Sequence, residues 1–392
     1  YTISTINEQL FYNAQQVIQY FFPYRHLIGE DWKDVLEEFI PKMINSNDTI
    51  SYTLIIHELI ARVNDTHASV WEDKLPSGYF GKYFAPFSAD FIENKAVVTY
   101  FNNNLLCKET GIKIGDVISK IDDKPIDRII NERLKYVSAS NYSTKLREIS
   151  WGLLKTKDST MNLEIVRNGN VTRKTITTYT GKEVNPFKRY QVKDTCFKMI
   201  NEKIAYINHH TLTKKHLSII WKNIEKSKGL IIDIRNYPEG SPLDELSSYL
   251  YPNKKEFVKF TNGSLVKPGQ YAFIRPESVG KYNENYYKGK VVILVNEITQ
   301  SSSEYHTMAY SQSPNAIVIG STTAGADGNI SQFKLPGGIW TAISGIGVYY
   351  LDGRETQRVG ILPDIEVKPS ILGVQQGRDE ILEKAIEIIT NN

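Results

Sequence analysis

The spacing of apolar residues divides the chain into three textures. In the first, Ile6, Leu10, Phe11, Ala14, Val17, Ile18 and Phe21 recur at helical intervals. Trp32, Val35, Leu36, Phe39, Ile40 and Met43 repeat the pattern, and Tyr52, Ile55, Leu59, Ile60 and Val63 repeat it again. Residues three and four apart share one face of a helix, so residues 1 to about 65 are predicted to form three amphipathic helices. From about 80 to 182 the period drops towards two, the strand spacing. Phe87–Ile92 and Ala96–Tyr100 read as a hairpin across Glu93-Asn94-Lys95, and Val117–Ile121 as a strand after Gly115-Asp116. Leu163–Val166 and Val171–Thr177 form a second hairpin around Asn168-Gly169, residues that accept the positive φ of a tight turn. Between these strands, one helix capped by Asp127 is predicted to reach Val137, and another to cover Thr144–Leu154.

Beyond about 190, uninterrupted apolar runs take over: Ile204–Asn208, Leu230–Ile234, Val291–Val295 and Ala316–Gly320. Such runs fit strands covered on both faces. Helical patterns separate them, at Leu217 to Ile224, Leu243–Tyr251, from Ser301 onward and at Asp379–Ile389. A helix on each return argues for a largely parallel sheet. The predicted fold class is therefore α/β, multidomain and α+β overall. The expected domains are a helical one over 1–78, a β-rich one over 79–184 and an α/β core over 185–392.

Composition narrows the function. The 392 residues are 41% hydrophobic and 23% charged, an ordinary globular balance. With 47 basic and 44 acidic residues the net charge is +3, so nothing directs the chain to nucleic acid or to a membrane surface. Cys107 and Cys196 lie far apart with no ligand spacing, so no metal is expected, and a disulfide between them stays open. The first residue is Tyr1 rather than methionine, which fits removal of an export signal or lipid anchor. Oligomeric state cannot be read from the sequence.

Candidate chemistry centres on VVILVNEITQSSSEYHTMAY, Val291 to Tyr310. A buried strand gives way to a polar turn, Asn296 to Gln300, and a helix opens at Ser301 to Ser303. Helix N-termini present unpaired N–H groups and the positive end of the dipole, so a serine there sits beside donors for an oxyanion. Ser301-x-x-Glu304 also reads as a capping box. His67, just past the third helix after Asp65-Thr66, is a candidate base, and Asp233-Ile-Arg-Asn-Tyr-Pro-Glu-Gly240 is a strand-to-helix turn with backbone amides at its tip. His57 and the pair His209-His210 read as structural. His306 lies five residues after Ser301, a spacing that turns it off the serine's face.

The run from Gly111 to Ile126, with Gly115-Asp116-Val-Ile-Ser-Lys-Ile-Asp122 at its heart, resembles a PDZ domain. Such domains add an extended peptide to a sheet edge and capture its C-terminal carboxylate. Together with Asp65-Thr66-His67, Asp233 to Gly240, Ser301 to Glu304 and Gly360-Ile-Leu-Pro-Asp364, the chain resembles the C-terminal-processing and tricorn-core serine peptidases over essentially its whole length. That resemblance implies a core of the crotonase or Clp-protease type, protein or peptide substrates, no cofactor and an exported setting such as the bacterial envelope. It places the nucleophile at Ser301, one oxyanion donor at the Ser302 amide and a second at Glu239 or Gly240. The C-terminal-processing branch takes a lysine as base, but its loop here reads Thr323-Ala-Gly-Ala-Asp-Gly328, and Lys334 lies too far along. The tricorn branch takes a histidine preceded by a hydroxyl residue that a glutamate orients, which points to His67 with Thr66 and to Glu355, although strict spacing falls on Gln357. Gly111, Ile112, Gly115 and Asp116 are the implied carboxylate-binding turn. Two rivals share the architecture: a catalytically inactive peptide- or lipid-binding protein, which the missing lysine favours, and an acyl-thioester enzyme.

Overall fold

The computed structural model describes residues 14–71, 79–190, 195–240 and 242–391. The chain divides into two compact units. One contains Tyr1–Gln191, Ser331–Ile343 and Pro369–Arg378; the other contains Val192–Ile330, Ser344–Lys368 and Asp379–Asn392. The first two predicted domains thus fall in one unit, which ends at 191 rather than 184 and recovers two later segments.

In the first unit, residues 14–21 are helical, and the earlier part of the first predicted helix lies outside the described residues. Helices Trp32–Ile44 and Thr49–Ala61 follow, each started by an aspartate whose carboxylate accepts from first-turn amides, Asp31 and Asp48. The β-rich part is an antiparallel sheet in the spatial order Phe87–Ile92, Lys95–Phe101, Val117–Ile121, Thr160–Arg167, Asn170–Thr177. Asn168 (φ 51°) and Gly169 (φ 80°) make the tight turn expected of them. Helices Ile126–Leu134 and Tyr142–Leu153 complete this part. Asp127 lies inside the first turn of the former rather than capping it, because the N-cap position is Pro125; the latter is capped by Asn141. Segment 331–343 returns to this unit, where Thr341 and Trp340 pair with the short strand Val70–Trp71.

The second unit is built on a sheet ordered Phe197–Asn201, Ile204–Asn208, Gly229–Asp233, Lys290–Val295, Ala316–Gly320, Ile365–Glu366. Only the first pairing is antiparallel; the rest are parallel. Successive side chains of a strand point to opposite faces. Leu230, Ile232, Val291, Ile293 and Val295 therefore pack with helices Lys214–Ile224, Leu243–Leu250 and Ser302–Tyr310. Ile231, Val292 and Leu294 pack with Ile381, Ala385 and Ile389 of the terminal helix Glu380–Thr390. Burial on both faces is why these strands read as continuous apolar runs. Cys107 and Cys196 are both free thiols.

Candidate active site

Strand Lys290–Val295 ends in a turn tied together by Thr299. Its hydroxyl accepts from the Asn296 amide at 3.1 Å and donates to the Ile234 carbonyl at 2.9 Å. Ser301 then takes φ 55° and ψ −122°, a conformation that non-glycine residues avoid, and the helix Ser302–Tyr310 begins at the next residue. Holding a serine there costs on the order of 1–3 kcal/mol, so the surroundings must impose it. They do so through its own amide, which donates to the Ala326 carbonyl at 2.9 Å and to Glu304 Oε2 at 3.2 Å. The Ser301 hydroxyl stands within capping-box reach of the Glu304 amide but makes no directed cap hydrogen bond. The Ser302 amide, on the first residue of the helix, is one of those without an intrahelical acceptor.

Glu304 is fully buried and ties the junction to a second loop. Besides Ser301, its carboxylate accepts from the Thr323 hydroxyl, the Gly325 amide at 2.8 Å and the Ala326 amide at 3.0 Å. Burial raises its pKa, and these four donors oppose the rise. The same loop carries Asp327, buried like Glu304, whose carboxyl is pushed well up by burial and by the neighbouring Glu304 charge. The loop Thr323 to Gly328 holds Ala326 and no lysine. Lys334 is exposed beside the Trp340 ring and belongs to the other compact unit.

The turn after Gly229–Asp233 is joined to the serine helix by the Ser303 hydroxyl, which donates to the Asn236 carbonyl at 3.1 Å. Arg235 anchors it at the base with Asp233 (2.6 Å) and Asp379 (2.7 Å). The two oxyanion candidates now separate. The Glu239 amide donates to the His210 carbonyl at 2.9 Å, which corrects the expectation for Glu239 and leaves Gly240. A Cβ on Gly240 would lie 2.5 Å from the Leu212 carbonyl oxygen, so the chain passes too close there for any side chain.

Segment 355–361 packs on the 323–326 loop, with the Arg358 amide donating to the Gly325 carbonyl at 2.8 Å and the Ile361 amide to the Thr323 hydroxyl at 2.7 Å. Gln357 is buried in this segment, whereas Glu355 is half-buried and bridges Tyr349 through the backbone. His306 is buried with its ring 4.8 Å from that of His209, whose Nε2 meets the Tyr310 hydroxyl at 2.9 Å. Burial lowers the His306 pKa to about 4 and that of His209 well below its ordinary value. The His306 ring packs from the serine helix against that of His209.

The candidate base lies in the first unit. His67 is buried at the end of a turn closed by its own amide donating to Asp65 Oδ1 at 3.1 Å. Burial lowers its pKa below 6.5, and the charge of Asp65 partly offsets this. Thr66 is held by Ser140: its hydroxyl donates to Ser140 Oγ at 3.0 Å and accepts from the Ser140 amide at 2.9 Å. Ser138 adds a bond from its hydroxyl to the Asp65 carbonyl at 2.9 Å. Sequence reasoning missed Ser138 and Ser140. They lie more than seventy residues away, and no local pattern points to them.

Most amides of the turn Gly111–Asp116 are taken within the fold. Gly111 donates to the Lys108 carbonyl at 3.4 Å, Gly115 to the Val98 carbonyl at 2.8 Å and Asp116 to the Lys113 carbonyl at 3.1 Å. The Ile112 amide is taken by the Thr110 hydroxyl and the Lys113 amide by Asp116 Oδ2. Asp116 is buried and paired with Arg167 at 2.5 and 2.6 Å, and Gln375 covers Gly115 so closely that a Cβ would lie 2.1 Å from it. Gly111, Ile112, Gly115 and Asp116 thus form a closed structural turn, correcting their expected role. This sheet has two edge strands, Phe87–Ile92 and Asn170–Thr177.

Residues 203–367 match the model described as Peptidase family S41. Among solved structures, mature CPAF complexed with lactacystin is similar at 13% identity and a TM-score of 0.72, with 100% of each chain covered. The photosystem II D1 C-terminal processing protease is similar at 18% identity and a TM-score of 0.51, covering 98% of this chain and 97% of that one. At these identities the likeness is one of fold.

Proposed function

From the premise that this chain carries a serine peptidase domain of family S41, we propose that it hydrolyses peptide bonds through an acyl-enzyme, with Ser301 as nucleophile and His67 as general base. The observation that carries this reading is the backbone of Ser301. A serine forced to φ 55° between a buried strand and a helix N-terminus fits an activated hydroxyl better than an ordinary cap, which needs no such strain. In this mechanism neutral His67 takes the proton as Ser301 Oγ attacks the carbonyl. The Ser302 and Gly240 amides hold the developing oxyanion. His67 then protonates the leaving amine, and water releases the acyl group. Ala326 in place of a lysine supports the histidine branch. Thr66 is the positioning hydroxyl behind the base, and the buried Gln357 is better placed by its spacing than Glu355 for the orienting role. Peptide recognition is assigned to strand addition at Phe87–Ile92, one of the two edges of the PDZ-like sheet, rather than to the Gly111 turn.

A fluorophosphonate probe tests the assignment, because it labels an activated serine and not the cap of a binding protein. Labelling is expected in the unmodified protein, to be lost in Ser301→Ala and strongly slowed in His67→Ala. No labelling of folded, unmodified protein, or equal labelling of all three, would overturn it.

A further inference from the structure

The first unit holds a second site. A cavity of about 480 Å³ opens between helix Thr49–Ala61, helices Ile126–Leu134 and Tyr142–Leu153, and the strand that follows His67. That volume is in the range of sites that take small molecules. Leu54, Ile60, Val70, Val137 and Ile149 give it an apolar body.

The polar groups in its wall are not balanced. Arg133 lies over the Phe80 ring at 5.2 Å and donates to the Gly152 carbonyl at 2.8 Å. Lys155 lies over the Phe84 ring at 5.3 Å. All five of these residues line the cavity, and among the described residues no ion pair joins Arg133 or Lys155 to a carboxylate, although the Glu132 charge acts on Arg133. Burial lowers the pKa of both, and the Glu132 charge opposes this at Arg133. The one carboxylate in the wall, Glu148, is already matched by Arg147 at 2.6 Å. The imidazole of His57 is neutral at pH 7, its pKa lowered to about 4 by burial. The site therefore offers an apolar body with two cations, neither held in a direct ion pair, in the aromatic part of its wall.

We propose that this cavity binds a small amphiphilic carboxylate of the medium-chain fatty-acid class, with its chain among the aliphatic residues and its carboxylate between Arg133 and Lys155. An apolar tail alone leaves the cations unanswered, and a bare anion leaves the aliphatic wall unfilled. A peptide fits less well. Leu54, Ile60 and Ile149 of the apolar body are side chains of helices, so main-chain N–H and C=O groups of a peptide lying against them would go unpaired.

The test is calorimetric titration of the Ser301→Ala protein, which separates binding here from any failure of the peptidase reading. Decanoate is expected to bind with one-to-one stoichiometry, at least tenfold more tightly than decanol. The double variant Arg133→Gln/Lys155→Gln, checked for folding by thermal melting, is expected to lose that preference. Equal affinity for decanoate and decanol in the parent protein overturns the proposal without reference to any variant. So does unchanged decanoate binding in the folded double variant, or tighter binding of an N-acetylated apolar peptide with a free C-terminus.

Discussion

The segments carrying Ser301 and His67 are both polar turns at the end of a regular element, the first half-buried and the second buried, but they are held in opposite ways. Ser301 is fixed through its backbone. Its amide is tied to Ala326 and Glu304, its φ is positive, and all the groups that impose this lie within one compact unit and mostly within about 25 residues. Thr66-His67 is fixed through side chains, by the hydroxyls of Ser138 and Ser140 that the chain delivers after building half of a β-sheet. The first arrangement stores strain at one residue; the second spends hydrogen bonds to remove freedom from two. A nucleophile needs its atom in one place, whereas a base must hold a ring and also keep its charge state. The difference suggests that the serine turn tolerates loss of its side chain and that the histidine turn depends on its hydroxyl supports.

The largest expected effect is at the serine. Ser301→Ala should lower acylation by roughly 10⁴-fold or more, with the fold intact by circular dichroism. His67→Ala should cost about 10²–10⁴-fold, whereas Lys334→Ala should leave the rate unchanged, both read from stopped-flow acylation. The pH profile sharpens this. Burial holds the His67 pKa below 6.5, so the base is already neutral at pH 7. Acylation should be flat around neutrality and fall in acid with a midpoint below 6.5. By the same linkage, the neutral ring's contribution to stability is present above the unfolded pKa and lost as pH falls through the folded one. A midpoint near or above 8 would point to a different base.

Ser140→Ala comes next. It strips Thr66 of one acceptor in a buried setting, so it should cost about 1–3 kcal/mol of stability and slow acylation about tenfold, while Ser140→Thr, which keeps the hydroxyl, recovers part of both. The smallest effect concerns strain alone. Ser301→Gly should be more stable than Ser301→Ala by about 1 kcal/mol in denaturant titration, because glycine adopts φ 55° without penalty. If alanine is the more stable of the two, the strain attributed to this position is not there.

The serine turn was largely legible in the sequence because its causes are local. A buried strand, a polar turn and Ser301-x-x-Glu304 announce a strand-to-helix junction, and the sheet's parallel strands were visible for the same reason. What local pattern could not supply was the state of individual amides. Glu239 and Gly240 look alike as donors until the His210 carbonyl is found on the first. Gly111 to Asp116 has the residues of a recognition turn, but the amides of Gly111, Ile112, Lys113, Gly115 and Asp116 are taken by Lys108, Thr110, Asp116, Val98 and Lys113. The strand pairing of Val70 with Thr341 spans most of the chain, and no periodicity announces it.

That long-range pairing has a consequence for how the protein is made. The first unit needs residues 331–343 and 369–378, so the chain passes between units five times, once at each boundary of the six segments. Synthesis delivers residues 1–191 first, but the strand partner of Val70, Thr341, and the Gln375 cap over Gly115 emerge only after most of the second unit. The half that carries the proposed base thus waits for the half that carries the proposed nucleophile, and the nascent chain must shelter an unfinished unit meanwhile. Limited proteolysis of a 1–191 fragment, expected to be cut far faster than the same region in the whole chain, measures how much that wait matters.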